Sequence, residues 1–312
     1  QLTTNDRLSM PVVNGVPVDA PMPPPFKTLA DAKASHTARY ERAYIMHASI
    51  GPSAALAVMK DDGLELWTHS QGIYPLRASL AELFEVPPEQ LRLHHRPGSG
   101  CYGHNGADDA AVDAALVARA LPGVPVLMKW TREDEHAWEP YSPAMVMELS
   151  GAISNQGEIT AWSHESHSDT HVLRPRPGVA GLGSSRLLPA RYLANPPSVI
   201  PPPPNLMHHG GIHRNQEPLY RIPAPRLVKH LVRGLPHRTS ALRTLGAFAN
   251  VFALESFLDE LAAMAGEDSV KLRLRHLDDP RARACINAVA ERIGPLDQAP
   301  DGHGRGLGFA QY

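Results

Sequence analysis

The sequence predicts an α+β fold, with mixed β-sheets flanked by helices. Three observations carry that prediction. Two pairs of apolar runs, near residues 54–67 and 145–164, are joined by Asp-Gly and Asn-Gln-Gly turns, a hairpin signature. A glycine-rich turn at 98–106 lies between an alternating run and an alanine-rich helix. Three helical patterns follow from about residue 240, after a proline-rich middle that breaks regular strand–helix alternation.

Composition bounds the function. The 312 residues suit one large domain or two, with 43% hydrophobic and 20% charged residues as in ordinary globular proteins. A formal net charge of −2 gives no reason to expect nucleic acid or an anionic membrane as partner. No apolar run approaches the ~18 residues of a membrane span, so no span is expected in this chain. Two cysteines, Cys101 and Cys285, make neither a disulfide framework nor a metal cluster. Proline, at 31 residues, clusters at Pro11–Pro25 and Pro196–Pro204, which predicts extended surface paths. The first residue is Gln, and Gly306–Tyr312 reads as a strand just begun, so a piece of a longer protein is expected.

In chain order, residues 1–38 lack periodicity and read as an extended Pro-rich arm. Residues 40–50 read as a strand ending at Gly51-Pro52. Ala54–Met59 and Leu64–Trp67 form the first hairpin, and a polar end, Thr68–Gly72, follows it. A helix spans Leu76–Phe84 between Pro75 and Pro87-Pro88. Leu91 opens the strand before the glycine turn, and a helix over Ala107–Ala120 follows it. Asp108 and Asp109 suit that helix's positive end. Pro125–Trp130 reads as a buried strand, and Thr131–His136 as a solvated charged face. Met145–Ile153 and Glu158–His164 form the second hairpin. His164, His167 and His171 have metal-face spacing only on a helix, and Ser166–Thr170 does not read as one. They are expected to be solvent-exposed, as is His208-His209. The stretch 172–238 reads as a Pro-rich connection. Val251, Leu254, Leu258 and Leu261 mark an amphipathic helix whose Glu255 and Asp259 suit solvent or a structural bridge. Asp268 caps a second helix, and a third runs from about Arg281 to Ile293.

The glycine turn admits several readings. Gly98-x-Gly100-x-x-Gly103 matches the dinucleotide fingerprint, without the acidic residue expected about 20 positions on. The P-loop reading fails, because His104 and Asn105 replace Lys and Ser/Thr. A tight structural turn is the third reading. On the loop alone, the fingerprint and the structural turn both stay open.

Taken together, the segments resemble the large subunit of the molybdenum hydroxylases, the xanthine dehydrogenase and aldehyde oxidase family. The likeness is greatest to the molybdopterin-binding subunits of isoquinoline oxidoreductase and nicotinate dehydrogenase type. Tyr44–Pro52 resembles the family's His-Ala-x-x-Glu-Pro element, and Trp67–Gln71 its Trp-x-Ser-x-Gln strand end. Gly98–Gly103 sits where the family has Gly-Gly-Gly-Phe-Gly, and Pro125–Asp134 resembles the strand and Arg-Glu-Asp element that follow. Ala241–Gly246 and Glu255–Leu261 resemble its Arg-Gly-x-Gly loop and the next helix. The blocks keep the family's order across residues 40–312.

The resemblance implies that residues 39–300 form the first molybdopterin-binding lobe and 301–312 the start of a second. It implies a molybdenum–molybdopterin cytosine dinucleotide cofactor, whose metal is held by pterin sulfurs rather than by protein ligands. Gln71 would hydrogen-bond an oxygen on molybdenum. Gly98, Ser99, Gly100, Cys101, Tyr102 and Gly103 would line the metal's face, and Arg243, Thr244 and Gly246 would lie against the pterin. The implied reaction hydroxylates a small N-heteroaromatic or aldehyde substrate, with water as the oxygen source. Electrons would leave through a small partner subunit carrying [2Fe-2S] clusters, because two cysteines cannot hold clusters here. A cytochrome c is a further implied partner, and the compartment stays open between bacterial cytoplasm and the periplasmic membrane face. The family's general base lies in a Gly-x-Gly-Glu motif absent from these residues, so no catalytic residue is expected in this chain. Gly51, Cys101-Tyr102 and Thr244 depart from the family pattern and alter the pocket. The rival readings are a nicotinamide-dependent dehydrogenase using Gly98-x-Gly-x-x-Gly103 and a non-catalytic fragment.

Overall fold

The structure, a computed structural model, describes residues 1–27, 32–296 and 299–312. In chain order the strands are β1 (Arg7–Val13), β2 (Val16–Pro17), β3 (Ala32–Arg42), β4 (Ala54–Lys60), β5 (Gly63–Thr68), β6 (Leu91–His95), β7 (Val126–Lys129), β8 (Met145–Ser154), β9 (Ile159–Ser168) and β10 (Arg226–Val232). The helices are α1 (Ile73–Phe84), α2 (Ala107–Ala120), α3 (Arg132–Trp138), α4 (Ala247–Ala265), α5 (Ser269–His276) and α6 (Pro280–Ile293). The predicted α+β class with mixed sheets is the observed one. A six-stranded sheet has the order β2-β1-β10-β9-β8-β3, and a four-stranded sheet the order β6-β5-β4-β7. The parallel neighbours are β9 with β10 and β5 with β6.

Each sheet buries one face under helices. On β8, Met145, Met147, Leu149 and Ile153 alternate inward, as a period of two requires, and join Phe257, Leu258 and Leu261 of α4 in one core. Gly151 is absent from that apolar row because a Cβ there would lie 2.8 Å from the Phe257 ring. On the smaller sheet, α2 presents Ala111, Ala114, Ala115 and Ala118, whose small side chains let the helix approach Ala55, Ala57, Leu64 and Leu66 closely. The Lys60–Gly63 turn joins β4 to β5 in an antiparallel hairpin, as predicted. Asp268 caps α5 by accepting from the Lys271 N–H, and Asp279 caps α6.

Several expectations fall. The supposed arm contains β1, which pairs antiparallel with β10, and the start of β3, while residues 19–27 run without backbone pairing. Pro11 and Pro17 break the alternation that would have marked this region as strand. Of residues 40–50 only the first three are strand, and the rest is loop. The Pro125–Trp130 strand is not buried, because β7 lies at the sheet edge with Leu127 69% exposed. The Pro-rich connection supplies β10, a central strand buried along almost its whole length. Gly306–Tyr312 is not a strand. Its backbone instead meets side chains, with the Phe309 N–H donating to Glu255 Oε2 and Asn215 donating to the Gln311 carbonyl. Glu255 itself is buried and bridged to Arg273, so the structural-bridge reading of that helix holds.

The nicotinamide reading requires adjacent parallel strands around α2. Instead β6 and β7 occupy opposite edges of the four-stranded sheet, which is not a doubly wound parallel sheet.

Candidate functional site

The glycine turn leaves the end of β6 and returns to α2, and two neighbouring loops pin it. Ser99 Oγ accepts from the Gly51 N–H at 2.8 Å and donates to the Gly51 carbonyl at 3.0 Å. A Cβ at Gly51 would lie 2.6 Å from that oxygen. The departure at Gly51 and the serine at 99 therefore fit each other. At the far end, Gly103 bridges Leu242. The Arg243 N–H donates to the Tyr102 carbonyl at 2.6 Å and the His104 N–H to the Ala241 carbonyl at 2.7 Å. Gly103 has φ +135°, and a Cβ there would lie 2.0 Å from the Ala241 carbonyl oxygen. Glycine here lets two backbones touch.

The structure thus brings Gly98–Gly103 beside Arg243 and Thr244, about 140 positions away in sequence. Gln71 completes the rim. It lies exposed between β5 and α1, and its backbone N–H faces the Cys101 sulfur. Burial raises the Cys101 pKa, so the thiol stays protonated at neutral pH, and it donates to the Gly103 carbonyl at 3.0 Å. Arg243 is exposed, and Thr244 takes φ +78°, a strained value where the family pattern has glycine. Gly246 stands apart. It is buried at the start of α4, where a Cβ would meet the Ile212 carbonyl at 2.5 Å. It is a packing glycine, behind the rim.

Two observations bear on an anionic ligand. None of the backbone N–H groups from Gly98 to Tyr102 donates to another backbone group among the described residues. A cleft of about 310 Å³ beside the turn is lined by Trp67, His69, Arg96, Gly98 and Ser99. Free N–H donors, two exposed or cleft-lining arginines and the Gln71 amide form a donor-rich set, which fits a ligand bearing phosphates and oxo groups.

Beneath the rim is a network that the sequence patterns do not announce. Asp108, only 2% exposed, receives hydrogen bonds from Ser70 Oγ and His104 Nε2, the latter at 3.2 Å, and Arg174 Nε lies 3.6 Å away. Burial pushes its carboxyl up, but His104, Arg174 and Ser70 outweigh that and hold it below its ordinary value. Burial lowers the His104 pKa, so the ring is neutral. With Nε2–H given to Asp108, Nδ1 accepts from Ser240 Oγ at 2.9 Å. Ser70 Oγ accepts from the Gly72 N–H, and Arg174 reaches the Gly103 carbonyl at 3.4 Å. One carboxylate therefore braces both sides of the rim. His104 and Asp108 sit four apart, which was a visible signal, but Ser70 and Arg174 arrive only through the fold.

In the run Thr131–His136, expected to be solvated, Thr131, Glu133 and His136 are exposed, but Glu135 is built in. Thr131 and Asp134 form a capping box for α3. Glu135 is fully buried and accepts from the Ser53 N–H at 2.6 Å, while Glu139 accepts from the His47 N–H at 2.7 Å. These carboxylates fix the loop that carries Gly51. The rest of the charged run faces outward, but four-residue spacing turns Glu135 and Glu139 to one inward face.

Of the histidines expected in solvent, His208 is exposed and His209 half-buried, but the other three are buried. His164 is fully buried, His167 2% and His171 1% exposed. Because β9 is a strand, His164 and His167 face opposite sides of the sheet and form no common metal face.

Among known proteins, the family model described as molybdopterin cofactor-binding domain matches residues 25–186, just over half of the chain. A nicotinate dehydrogenase subunit from Pseudomonas putida is 33% identical over 293 residues, covering 91% of this chain and 23% of that protein. The isoquinoline 1-oxidoreductase beta subunit from Brevundimonas diminuta is 28% identical over 265 residues, covering 83% and 30%. The chain thus spans less than a third of these relatives' length. The solved aldehyde oxidoreductase from Desulfovibrio gigas shares the fold, with a TM-score of 0.64 at 20% identity over 91% of this chain and 29% of that one. From its matched residues and its fold, the chain belongs to the molybdopterin cofactor-binding domain family.

Proposed function

We propose that this chain holds the molybdenum cofactor of a hydroxylase acting on a small N-heteroaromatic or aldehyde substrate, with electrons passed to a [2Fe-2S] partner subunit. The observation that carries the reading is the meeting of the glycine turn with residues 241–244, which puts free backbone N–H groups, Gln71 and Arg243 around one rim. Gln71 would offer its amide to an oxygen on the metal. Gly98–Tyr102 would face it with N–H donors, and Arg243 would lie along the pterin. Asp108, His104 and Arg174 hold that rim in place before any ligand arrives, so little ordering remains to be done on binding. When bound, the cofactor supplies a two-electron oxidation with water as the oxygen source. Family membership and the two relatives described above, both named as oxidoreductase or dehydrogenase subunits, support an oxidoreductase role. The cytosine dinucleotide form, the iron–sulfur partner and a cytochrome c acceptor are parts of the same proposal.

The test is elemental analysis of the complete gene product, co-expressed with its neighbouring subunits in a host that makes the cytosine dinucleotide cofactor. The expected result is near-stoichiometric molybdenum with cytidine monophosphate released on acid hydrolysis. Retention should fall at least about tenfold when Gly98 and Gly100 are replaced by bulky residues. A folded, cofactor-supplied complex without molybdenum would overturn the reading.

A further inference from the structure

On the face of the six-stranded sheet opposite α4 lies a cluster that the cofactor reading does not use. Glu165 and His167 are two apart on β9 and so share that face. The parallel register sets His230 of β10 beside His167, and the antiparallel register sets Glu148 of β8 beside Glu165. The two imidazoles stack with centroids 4.0 Å apart. Among the described residues, Glu165, His167 and His230 are the group whose ligand atoms all approach within 4.8 Å of one another.

We propose that Glu165, His167 and His230, with Glu148 as the fourth ligand, form a binding site for a divalent transition-metal ion of the zinc class. Four details support it. Both ring nitrogens of His167 lack a hydrogen-bond partner although the residue is 2% exposed. A metal would satisfy one of them. The inner oxygens of both carboxylates face the imidazoles, with Glu165 Oε2 2.7 Å from His230 Nε2 and Glu148 Oε2 3.4 Å from His167 Nε2. Their outer oxygens are held by arginines, Glu165 by Arg226 at 2.6 Å and Glu148 by Arg39 at 3.4 Å. Ser9 lies 2.7 Å from His230 Nδ1 and can take its proton in a hydrogen bond, leaving Nε2 as the ligand atom. This is the outer shell that orients ligands in metal sites. The two guanidinium charges offset the two carboxylates.

Two histidines and two carboxylates suit zinc's tetrahedral preference, with bonds of about 2.0–2.2 Å. The atoms must therefore draw in from their present spread. The Glu165 and Glu148 side chains, 28% and 41% exposed, leave the solvent edge open for entry and for that movement.

The experiment titrates the chain with zinc by calorimetry and with cobalt(II) by visible absorption, whose intensity reports tetrahedral geometry. One ion per chain and an intense tetrahedral cobalt spectrum are expected. H167Q/H230Q should weaken binding by at least about 100-fold, whereas H208Q/H209Q, which removes a separate histidine pair, should leave it unchanged. Circular dichroism checks that each variant is folded. Wild-type chain that binds no stoichiometric zinc, or zinc lost in H208Q/H209Q and kept in H167Q/H230Q, overturns the site without touching the cofactor proposal.

Discussion

His164 and His171 show what burial does to single residues. Desolvation lowers both pKa values to about 3, against an ordinary value of 6.5. Both rings are neutral in the folded chain, while in the unfolded chain they charge below about pH 6.5. Between those limits the unfolded state binds more protons, so stability rises with pH. The stabilisation is complete above about pH 6.5 and is lost as pH falls towards about 3. Each histidine contributes roughly 1.4 kcal/mol per pH unit within that window. Asp108 acts lower down, since its depressed carboxyl loses its contribution only below the ordinary carboxylate range. We therefore expect the urea-unfolding free energy to fall from about pH 6 to about pH 4, and His171→Gln to flatten the slope by about one proton's worth. An unchanged slope in the folded variant would show that His171 is charged in the native chain. The spacing of these histidines was legible in the sequence, but their burial was not. The second half of β9, Ser163–Ser168, mixes Ser, His and Glu and carries no apolar mark of its own, and His171 follows it in a loop, so only the neighbouring elements reveal their burial.

At the scale of elements, local chemistry was easier to read. The bounds of α2, the first hairpin and the cap of α5 follow from residues within a few positions of one another, and the structure has them as expected. The glycine turn was legible as a turn, but the reason for its glycines was not. Ligand approach was the sequence's natural explanation. The structure adds a cause inside the chain, because Gly103 must clear the Ala241 carbonyl. Gly100 offers the contrast, since its φ of +129° is equally strained, yet an added Cβ would meet only the ring of Tyr102 at 2.8 Å. A ring at the end of a side chain can swing away, whereas a carbonyl in a bridged loop cannot. Gly103→Ala should therefore destabilise the chain by at least about 1 kcal/mol more than Gly100→Ala, in equilibrium denaturation. Equal losses would show that the bridge between the turn and residues 241–243 yields easily and does not define the rim.

For the whole molecule, the larger sheet joins strands far apart in sequence. β10 reaches its place between β1 and β9 after a connection of more than fifty residues from β9, and β1 comes from the other end of the chain. No local pattern announces such pairings, which is why residues 1–38 read as an arm and 172–238 as a connection. The physics that hid β1 also makes it consequential. On the α4 side β10 buries Leu227 and Leu231 on either side of Lys229, and β1 pairs with it from Arg7↔Val232 to Pro11↔Val228. Removing residues 1–17 would strip that ladder, uncover the core contacts of Val12, and turn β10 into a flat open edge of backbone donors and acceptors. The lost burial of Val12 alone is worth roughly 1.5–3 kcal/mol, and the open edge invites pairing between chains. The truncated chain should unfold at lower urea than the full chain and form oligomers by size-exclusion chromatography with light scattering. An extended arm resting on the surface would predict the opposite, a truncated monomer of unchanged stability. That outcome would remove β1 from the sheet and take with it the Ser9 contact that orients His230.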